Sequence, residues 1–195
     1  MLARIALMLA IACVAPHATA QMHGSPPATD APAEAKQFDF LVGEWSVDVR
    51  PKVSGLAAMV HGAPRLVGTW KAWRAFDGFG VEDELRIVDA SGNPASLSRS
   101  WRVYARNEQR WLVGGVDVYR GRMSSARGTW QGDAMLVEAI GTDAEGKPYA
   151  VRTRFSAITP DGFELVQDRS ADGGKTWDEG VLEMTATRTA AQATR

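Results

Sequence analysis

Residues 38–50 read FDFLVGEWSVDVR. After Gly43, the apolar residues Trp45, Val47 and Val49 alternate with polar ones, and this period of two is typical of a strand with one buried face. The segment therefore predicts a short apolar turn that leads into a β-strand near 44–50.

Downstream of this strand, short β-prone runs alternate with turn signals that supply Gly, Asn or Asp. The signals stand at 90–93, 131–133, 143–146, 159–162 and 171–174. The pattern predicts ten strands, near 44–50, 65–76, 80–89, 97–106, 110–119, 125–131, 134–141, 148–158, 162–170 and 177–188. With short links between neighbours, we expect an all-β fold, an antiparallel meander of about ten strands closed into a barrel without exposed edges. Residues 51–64 are too irregular for a strand, and we expect them to form a short lid over one barrel end.

The first twenty residues have the three parts of a cleaved secretory signal. Arg4 gives a positive start, Ile5–Val14 is an apolar run, and Ala18-Thr19-Ala20 supplies small residues at the cleavage site. We therefore expect a periplasmic or secreted protein. In the alternative, Cys13 follows Ala10-Ile11-Ala12 in a lipoprotein processing site and its thiol carries lipid.

The remaining chain divides into three parts. Residues 21–36 are rich in Pro and Ala and predict a flexible leader, 37–189 form the barrel domain, and 190–195 are a frayed tail. Cys13 is the one cysteine, so cleavage after Ala20 leaves no disulfide or thiolate chemistry.

Charge and hydropathy exclude two classes of partner. The net charge is −1, and the 17 Arg and 5 Lys are scattered between acids, whereas a nucleic-acid partner needs a basic face. Beyond the signal, no segment approaches the roughly 20 apolar residues that span a bilayer. We expect a soluble mature chain without a transmembrane segment, and its protein partner, if any, is unknown.

The block Phe40 to Trp45 resembles the opening of calycin-like barrels, the lipocalin and fatty-acid-binding group. In that group a short helix plugs one end, the glycine allows a close turn, and the tryptophan packs under an arginine from the last strand. The resemblance implies a calycin-like barrel and gives structural roles to Gly43, Trp45 and Arg188. A guanidinium over an indole contributes about 0.5–2 kcal/mol.

Over residues 38–188 the pattern is also similar to an exported bacterial family of unknown function. The resemblance rests on Phe40 to Trp45 and on the block Asp168 to Trp177. It implies export and a barrel but no activity. Nitrobindin-like haem barrels share the opening and need a histidine late in the chain, whereas the mature chain offers His23 and His61. We therefore expect no cofactor.

Residues 170–177, SADGGKTW, resemble the Ser-x-Asp-x-Gly-x-Thr-Trp box of sialidase-type propellers. In those proteins the box braces a hairpin, because its aspartate accepts loop N–H bonds and its glycine takes a positive φ. One copy does not build a propeller. We therefore predict a structural role, not glycan hydrolysis, for Ser170, Asp172, Gly174, Thr176 and Trp177.

The tryptophans of the strand-like runs are candidates for the lining of an apolar ligand cavity. Those assigned to ligand binding are Trp70, Trp73, Trp101 and Trp111, and core packing explains them as well. Trp70 and Trp73 have opposite strand parity, so at most one points inward unless a bulge intervenes.

Three polar residues complete the candidate ligand site. Arg86 and Arg102 either form surface salt bridges, the interpretation we favour, or point into a polar interior where a guanidinium binds a carboxylate. Tyr104 joins Arg102 in an Arg-x-Tyr sequence that resembles the carboxylate clamp of fatty-acid-binding barrels, which carry it near the C-terminus.

Glu82-Asp83-Glu84 is an acid cluster in which Glu82 and Glu84 share one strand face and Asp83 points to the other. Such acids usually face solvent or pair with an arginine of the next strand, here Arg99 or Arg102. Known hydrolase and dinucleotide motifs are absent from the sequence, and no close His/Asp pair predicts a metal site. Enzyme activity is left open but not favoured.

Three hypotheses remain. The one we favour is an exported barrel that binds a small apolar or amphipathic molecule. The second is an interaction or scaffold module of the cell envelope, with a filled core and a partner on its outer face. The third is a small hydrolase or isomerase that uses Glu82, Glu84 or Asp117 in the barrel mouth.

Overall fold

Ten strands follow one another in residues 30–53 and 64–189, the parts of the chain that the computed structural model describes. They are β1 Gly43–Pro51, β2 Leu66–Ala75, β3 Gly80–Asp89, β4 Pro94–Ala105, β5 Arg110–Asp117, β6 Arg122–Gln131, β7 Ala134–Thr142, β8 Pro148–Ser156, β9 Gly162–Ser170 and β10 Asp178–Arg188. Each strand pairs antiparallel with the next, and β10 returns to pair with β1. The predicted fold class, an antiparallel meander of about ten strands closed into a barrel, is confirmed.

The alternation of buried and exposed side chains along β1 identifies the inner face of the barrel. Trp45, Val47 and Val49 are at most 1% exposed, whereas Ser46 and Arg50 are exposed. Because residues directly opposite each other on neighbouring strands share a face, the register identifies the inward positions of every other strand. The inner face runs from Trp45 to Trp70 on β2, Leu85 on β3 and Ser98 on β4.

A short 3₁₀ turn, Asp39–Leu41, plugs the barrel end at which β1 begins. Phe38 and Leu41 are fully buried, and the indole Nε1 of Trp45 donates to the Leu41 carbonyl at 2.7 Å. The Phe38 ring meets the edge of Trp111 with centroids 4.8 Å apart. The turn and the strand after it are therefore one packing unit.

Arg188, at the end of β10, lies over this unit. Its guanidinium carbon is 4.0 Å from the centroid of the Trp45 ring, and its Nη1 donates to the Val42 carbonyl at 3.2 Å. Gly43 has φ +133°, and a Cβ there would lie 2.3 Å from the Arg188 Nη1. The glycine thus leaves room for the arginine. The contact matches the one implied by the calycin resemblance, and its closing role stays a prediction.

The N-terminal part of the described chain packs on the plugged end. Residues Ala33–Lys36, which the sequence assigns to the leader, form a 3₁₀ turn in which Ala35 is 1% exposed. The Ala35 carbonyl accepts a bond from Arg74 Nη1 at 3.0 Å, and Arg74 also forms an ion pair with Asp39. A third 3₁₀ turn, Phe76–Gly78, joins β2 to β3.

Several predictions concern residues outside the described ranges. These are the signal peptide 1–20 with Cys13, the leader residues 21–29, the tail 190–195 and residues 54–63 of the expected lid. Within the described ranges, no helix has the length and apolar character needed to cross a membrane.

Candidate functional site

The two halves of the barrel interior are filled to different extents. At the plugged end, five large side chains are at most 4% exposed: Phe38, Trp111, Met135, Phe155 and Phe163. Their aromatic rings make edge-to-face contacts, for example Phe38 on Phe155 with centroids 6.1 Å apart. This half is a packed core.

Toward the opposite end, which we call the rim, the inward-facing residues become small or polar. The space they line is called the lumen here, and its lining residues are Leu85, Ser98, Ser100, Val113, Gly115, Ser124, Val137, Thr153 and Gln167. Apart from Gly115, each is at least partly exposed although it faces the interior. An inward-facing side chain with accessible surface adjoins space inside the barrel, so the lumen is less completely filled than the plugged half.

The wall across the lumen is packed. Val49 on β1, Leu165 on β9 and Met184 on β10 are 0%, 7% and 5% exposed. The lumen is therefore one-sided, with accessible side chains on β3 to β9 and a buried apolar wall on β1 and β10.

Strand β4 is responsible for much of the polar lining. Its inward positions carry Ser96, Ser98 and Ser100, whereas Trp101 and Val103 face outward. This is the reverse of the usual alternation of a half-buried strand. The reversal places hydroxyl groups in the lumen and an indole on the outer surface.

An ion pair forms the floor of the lumen. Asp83 and Arg102 are 1% and 6% exposed, and Arg102 Nη1 donates to Asp83 Oδ2. The second carboxylate oxygen accepts a bond from Trp70 Nε1 at 2.8 Å, and the guanidinium carbon lies 5.1 Å from the Phe38 ring centroid. Arg102 thus separates the plugged core from the lumen. Its Nε is buried and has no hydrogen-bond partner among the described residues.

Two hydroxyl groups lie close to Gly115 in the lumen wall. A Cβ at Gly115 would lie 3.1 Å from the Ser100 Oγ and 3.3 Å from the Ser124 Oγ. The glycine therefore allows the two hydroxyls to approach the backbone of β5 closely, and each can both donate and accept hydrogen bonds. On the far side of the lumen, Gln167 Nε2 donates to Thr153 Oγ1 at 3.2 Å.

Polar and charged groups line the rim. The Arg169 guanidinium stacks on the Tyr149 ring, 4.1 Å from its centroid, beside a cavity of about 380 Å³ that Gln167 and Leu182 also line. Asp117 accepts a bond from Arg120 Nη1 at 2.7 Å. Burial acts to raise the pKa of Asp117, but the hydrogen bonds and charge of Arg120 outweigh it and hold the pKa below its usual value.

The structure separates the predicted ligand-binding residues into two groups. Trp70, Arg102, Tyr104 and Trp111 face the interior and surround its floor, where Tyr104 and Trp111 stand edge to face at 5.6 Å. The other three, Trp73, Arg86 and Trp101, face outward, so they do not line the lumen. For Arg102, the salt bridge is present but lies in the interior with Asp83, not on the surface as we had favoured.

The three acids of the cluster Glu82-Asp83-Glu84 lie on opposite faces of β3, as their alternation along the strand predicted. Glu82 and Glu84 are on the outer face of β3, where Glu82 accepts a bond from Trp73 Nε1 at 3.2 Å, and Asp83 is inside. The register places Arg99 opposite Glu84 on the outside and leaves Arg102 to Asp83. The outer acids and Asp117 at the rim do not form one site. In the described residues, no three His, Cys, Asp or Glu side chains are grouped as metal ligands.

Sequence reasoning missed Asp83 and the serines of the lumen. A signal for Asp83 was present, because it occupies the same parity as Val81 and Ile87, which are buried. The serines carried no such signal, since Trp101 and Val103 made the opposite face of β4 look like the buried one.

An apolar groove lies on the outer face of β4, β5 and β6. Trp101, Leu112 and Met123 line a cavity of about 490 Å³, and they are 38%, 38% and 76% exposed. A Cβ at Gly114 would lie 2.2 Å from the Trp101 ring, so the indole rests on the glycine backbone. We call this feature the outer groove.

The hairpin between β9 and β10 contains the box of residues 170–177. Asp172 Oδ1 accepts bonds from the backbone N–H groups of Lys175 at 3.0 Å and Thr176 at 2.9 Å, and Oδ2 accepts one from the Thr176 hydroxyl. The bonds from Thr176, followed by that from Ser170, hold the pKa of Asp172 far below its usual value. Gly174 has φ +91°, and its carbonyl accepts a bond from Trp177 Nε1 at 3.1 Å. The residues thus form a hydrogen-bonded brace at the rim.

Comparison with known proteins bears on the fold. The chain is similar in structure to an S-type phycobiliprotein lyase from Guillardia theta, with a TM-score of 0.54 and 12% sequence identity over 80% of this chain and 93% of the other. No protein-family model matches the sequence, and no curated protein matches it. At 12% identity the likeness carries the fold and nothing more. It supports the calycin-like barrel, while export and membership of the exported family stay predictions.

Proposed function

We propose that the protein binds a small amphipathic molecule in the lumen. The observation that carries the proposal is the contrast between the two halves of the interior. Phe38, Trp111, Met135, Phe155 and Phe163 are at most 4% exposed around the plug, but Leu85, Val113 and Val137 are only partly buried in the lumen. Partly exposed apolar side chains inside a closed barrel gain free energy when a ligand covers them.

The chemistry of the lining supports an amphipathic ligand over a purely apolar one. Apolar side chains alternate around the lumen with the hydroxyls of Ser98, Ser100 and Thr153 and the amide of Gln167. Small-molecule sites in proteins combine apolar area with a few polar groups that orient the ligand. An apolar body with one or two hydrogen-bonding groups fits this surface.

Two neighbouring serines on β6 provide the test. By strand parity the Ser124 side chain points to the lumen and the Ser125 side chain to the outer face, and both residues border the outer groove. Titration of the wild-type protein with the uncharged fluorescent probe N-phenyl-1-naphthylamine should give saturable binding. Ser124→Trp fills the lumen and should weaken this binding at least about tenfold. Ser125→Trp adds the same side chain outside and should leave the affinity within about twofold.

Native mass spectrometry of protein purified from its own cells complements the titration. A reproducible adduct that is lost in Ser124→Trp would identify the natural ligand by mass. Equal effects of the two substitutions, or no saturable binding of the probe by the wild type, would contradict the lumen as the site.

The outer groove favours a second function, binding of a protein partner. Met123 is 76% exposed beside Trp101 and Leu112, and contiguous exposed apolar side chains commonly mark interaction sites. A partner on this face would be lost in Ser125→Trp and retained in Ser124→Trp, which is the reverse of the pattern for the lumen. The same pair of variants therefore separates the two functions.

We also propose that the protein acts outside the cytoplasm, on the basis of residues 1–20. Cell fractionation followed by N-terminal sequencing tests this. A chain that starts at Gln21 supports export, a lipid-modified chain that starts at Cys13 supports the lipoprotein alternative, and a full-length cytoplasmic chain contradicts both.

A further inference from the structure

The floor of the lumen has unused hydrogen-bond donors. A guanidinium carries five N–H donors and no acceptor. Within the described residues, Asp83 engages Nη1, and Nε is buried without a partner. An unpaired buried donor is costly, so a ligand group that offers an acceptor would be favoured once a small shift of the Arg102 side chain exposes this donor to the lumen.

The charge at the floor is already neutralised. Asp83 is 1% exposed and forms an ion pair with Arg102, whose side chain keeps 7% exposure in the interior. A carboxylate placed against Arg102 would give this site a net negative charge in a poorly solvated space, close to the carboxylate of Asp83. An uncharged carbonyl would accept the same hydrogen bond without that repulsion.

The remaining lining is uncharged. Around the lumen between floor and rim, the polar groups are the hydroxyls of Ser98, Ser100, Ser124 and Thr153 and the amide of Gln167. These groups hydrogen-bond neutral polar ligands but give an anion no countercharge. Two other arginines share the inward parity, Arg122 at the start of β6 and Arg169 near the end of β9, and both belong to the rim.

From these observations we infer that the lumen selects uncharged ligands with a hydrogen-bond acceptor at the deep end, such as an amide, ester or ketone carbonyl, and discriminates against carboxylates of the same size. The inference rests on the proposed function, since it concerns ligands of the same lumen. It also differs from the carboxylate clamp implied by the resemblance of Arg102-Val103-Tyr104 to fatty-acid-binding barrels. There the arginine serves the ligand, whereas here Asp83 already occupies it.

Matched probes test this selectivity. Decanamide and decanoic acid have the same length and differ in charge at neutral pH, and each can be measured by displacement of N-phenyl-1-naphthylamine. We expect the amide to bind the wild-type protein at least about tenfold more tightly than the acid. Equal binding, or tighter binding of the acid, would overturn the inference.

Two variants locate the discriminating charge. Asp83→Asn removes the carboxylate, keeps an oxygen for Trp70 and leaves Arg102 cationic, so the preference for the amide should fall about tenfold or reverse. Arg169→Gln is the matched control at the rim and should leave the preference unchanged. A preference that responds to Arg169→Gln and not to Asp83→Asn would place the polar end of the ligand at the rim and contradict the inference.

Two further results remain decisive. If Asp83→Asn does not fold, the wild-type preference and its response to Arg169→Gln still decide the question. If the wild type binds neither probe nor the fluorophore, the proposed function fails; if it binds them without preference for the amide, only the selectivity fails.

Discussion

At the scale of single residues, Asp83 and Arg102 illustrate how a buried charge is kept in a small barrel. Each side chain compensates the other, and Trp70 supplies a further bond to the carboxylate at 2.8 Å. Burying such a pair removes both charged groups from water, so the pair adds little stability relative to apolar residues of similar size. Removing one partner is strongly destabilising, because it leaves the other charge buried and uncompensated.

This asymmetry gives a prediction. Asp83→Ala leaves the Arg102 charge buried without its partner and should lower the free energy of unfolding by about 3–5 kcal/mol. The double variant Asp83→Leu/Arg102→Met removes both charges and should lie within about 1–3 kcal/mol of the wild type, with the cost due to the unpaired Trp70 N–H. Urea denaturation measures both. A loss below about 1 kcal/mol for Asp83→Ala would show that the pair is not buried in solution.

Residue-level prediction from sequence depended on strand parity. Parity correctly separated Trp70 from Trp73 and Asp83 from its two neighbours, because successive side chains of a strand point to opposite faces. Which face is the inner one follows from the apolar pattern in β1 and β3, but in β4 that pattern is reversed. Trp101 was therefore assigned to the interior although it rests on Gly114 outside.

At the scale of elements, the hairpin between β9 and β10 depends on the charge of one side chain. Asp172 has a lowered pKa, so its carboxylate stabilises the folded state above the unfolded pKa, near 4, and this contribution is lost as the pH falls through the lower folded value. Asp172→Asn cannot accept all of these bonds and should lower the melting temperature at pH 7 by a few degrees.

The pH dependence of the melting temperature tests whether the hairpin needs the negative charge of Asp172 or only a side chain of that shape. The difference in melting temperature between the wild type and Asp172→Asn should be full at neutral pH and should shrink as the pH falls below about 4. Asp133→Asn, in the exposed turn before β7, is the control and should change the melting temperature little at any pH. A difference between the wild type and Asp172→Asn that stays constant down to strongly acid pH would rule out the ionised carboxylate as the cause.

The elements themselves were predictable because turns and alternation are local signals. All ten strands were expected, and the largest shifts are at β4 and β6, which each begin three residues earlier than predicted, at Pro94 and Arg122. Both starts lie at the rim, where polar residues continue the pairing without an apolar pattern. Where backbone hydrogen bonds extend a strand beyond its apolar residues, the sequence carries little signal of where the strand begins or ends.

At the scale of the whole molecule, closure follows from the meander, but the filling of the interior does not. Whether ten strands enclose a solid core or a lumen depends on which side chains meet across the barrel. Phe155 and Phe163 meet around the plug, and Ser100 and Thr153 face the lumen. Side chains that meet across the barrel are distant in the sequence. Neither composition nor the periodicity of apolar residues therefore predicts that Asp83 and Arg102 form the floor of the lumen.

Because one end of the interior is packed and the other is not, the same substitution should change the free energy of unfolding by different amounts at the two ends. Val47 and Val137 test this, since each lies opposite a glycine on one neighbouring strand. Val47 is 1% exposed between Gly68 and Ala186, whereas Val137 is partly buried in the lumen between Gly128 and Thr153. Val47→Ala should lower the free energy of unfolding by about 2 kcal/mol, because the lost methyl groups leave a cavity in packed core.

Val137→Ala should lower the free energy of unfolding by about 1 kcal/mol or less. The Val137 side chain is only partly buried, so its loss removes less apolar contact and water can enter the space that it leaves. Urea denaturation of both variants, with equal m-values as the check on unfolding behaviour, gives the comparison. Equal losses would mean that the lumen is packed in solution, and would count against ligand binding inside the barrel. A smaller loss at Val137 that grows when N-phenyl-1-naphthylamine is present would instead link the same side chain to the bound probe. A ligand stabilises the folded state in proportion to its affinity, and that affinity falls when a contacting side chain is shortened.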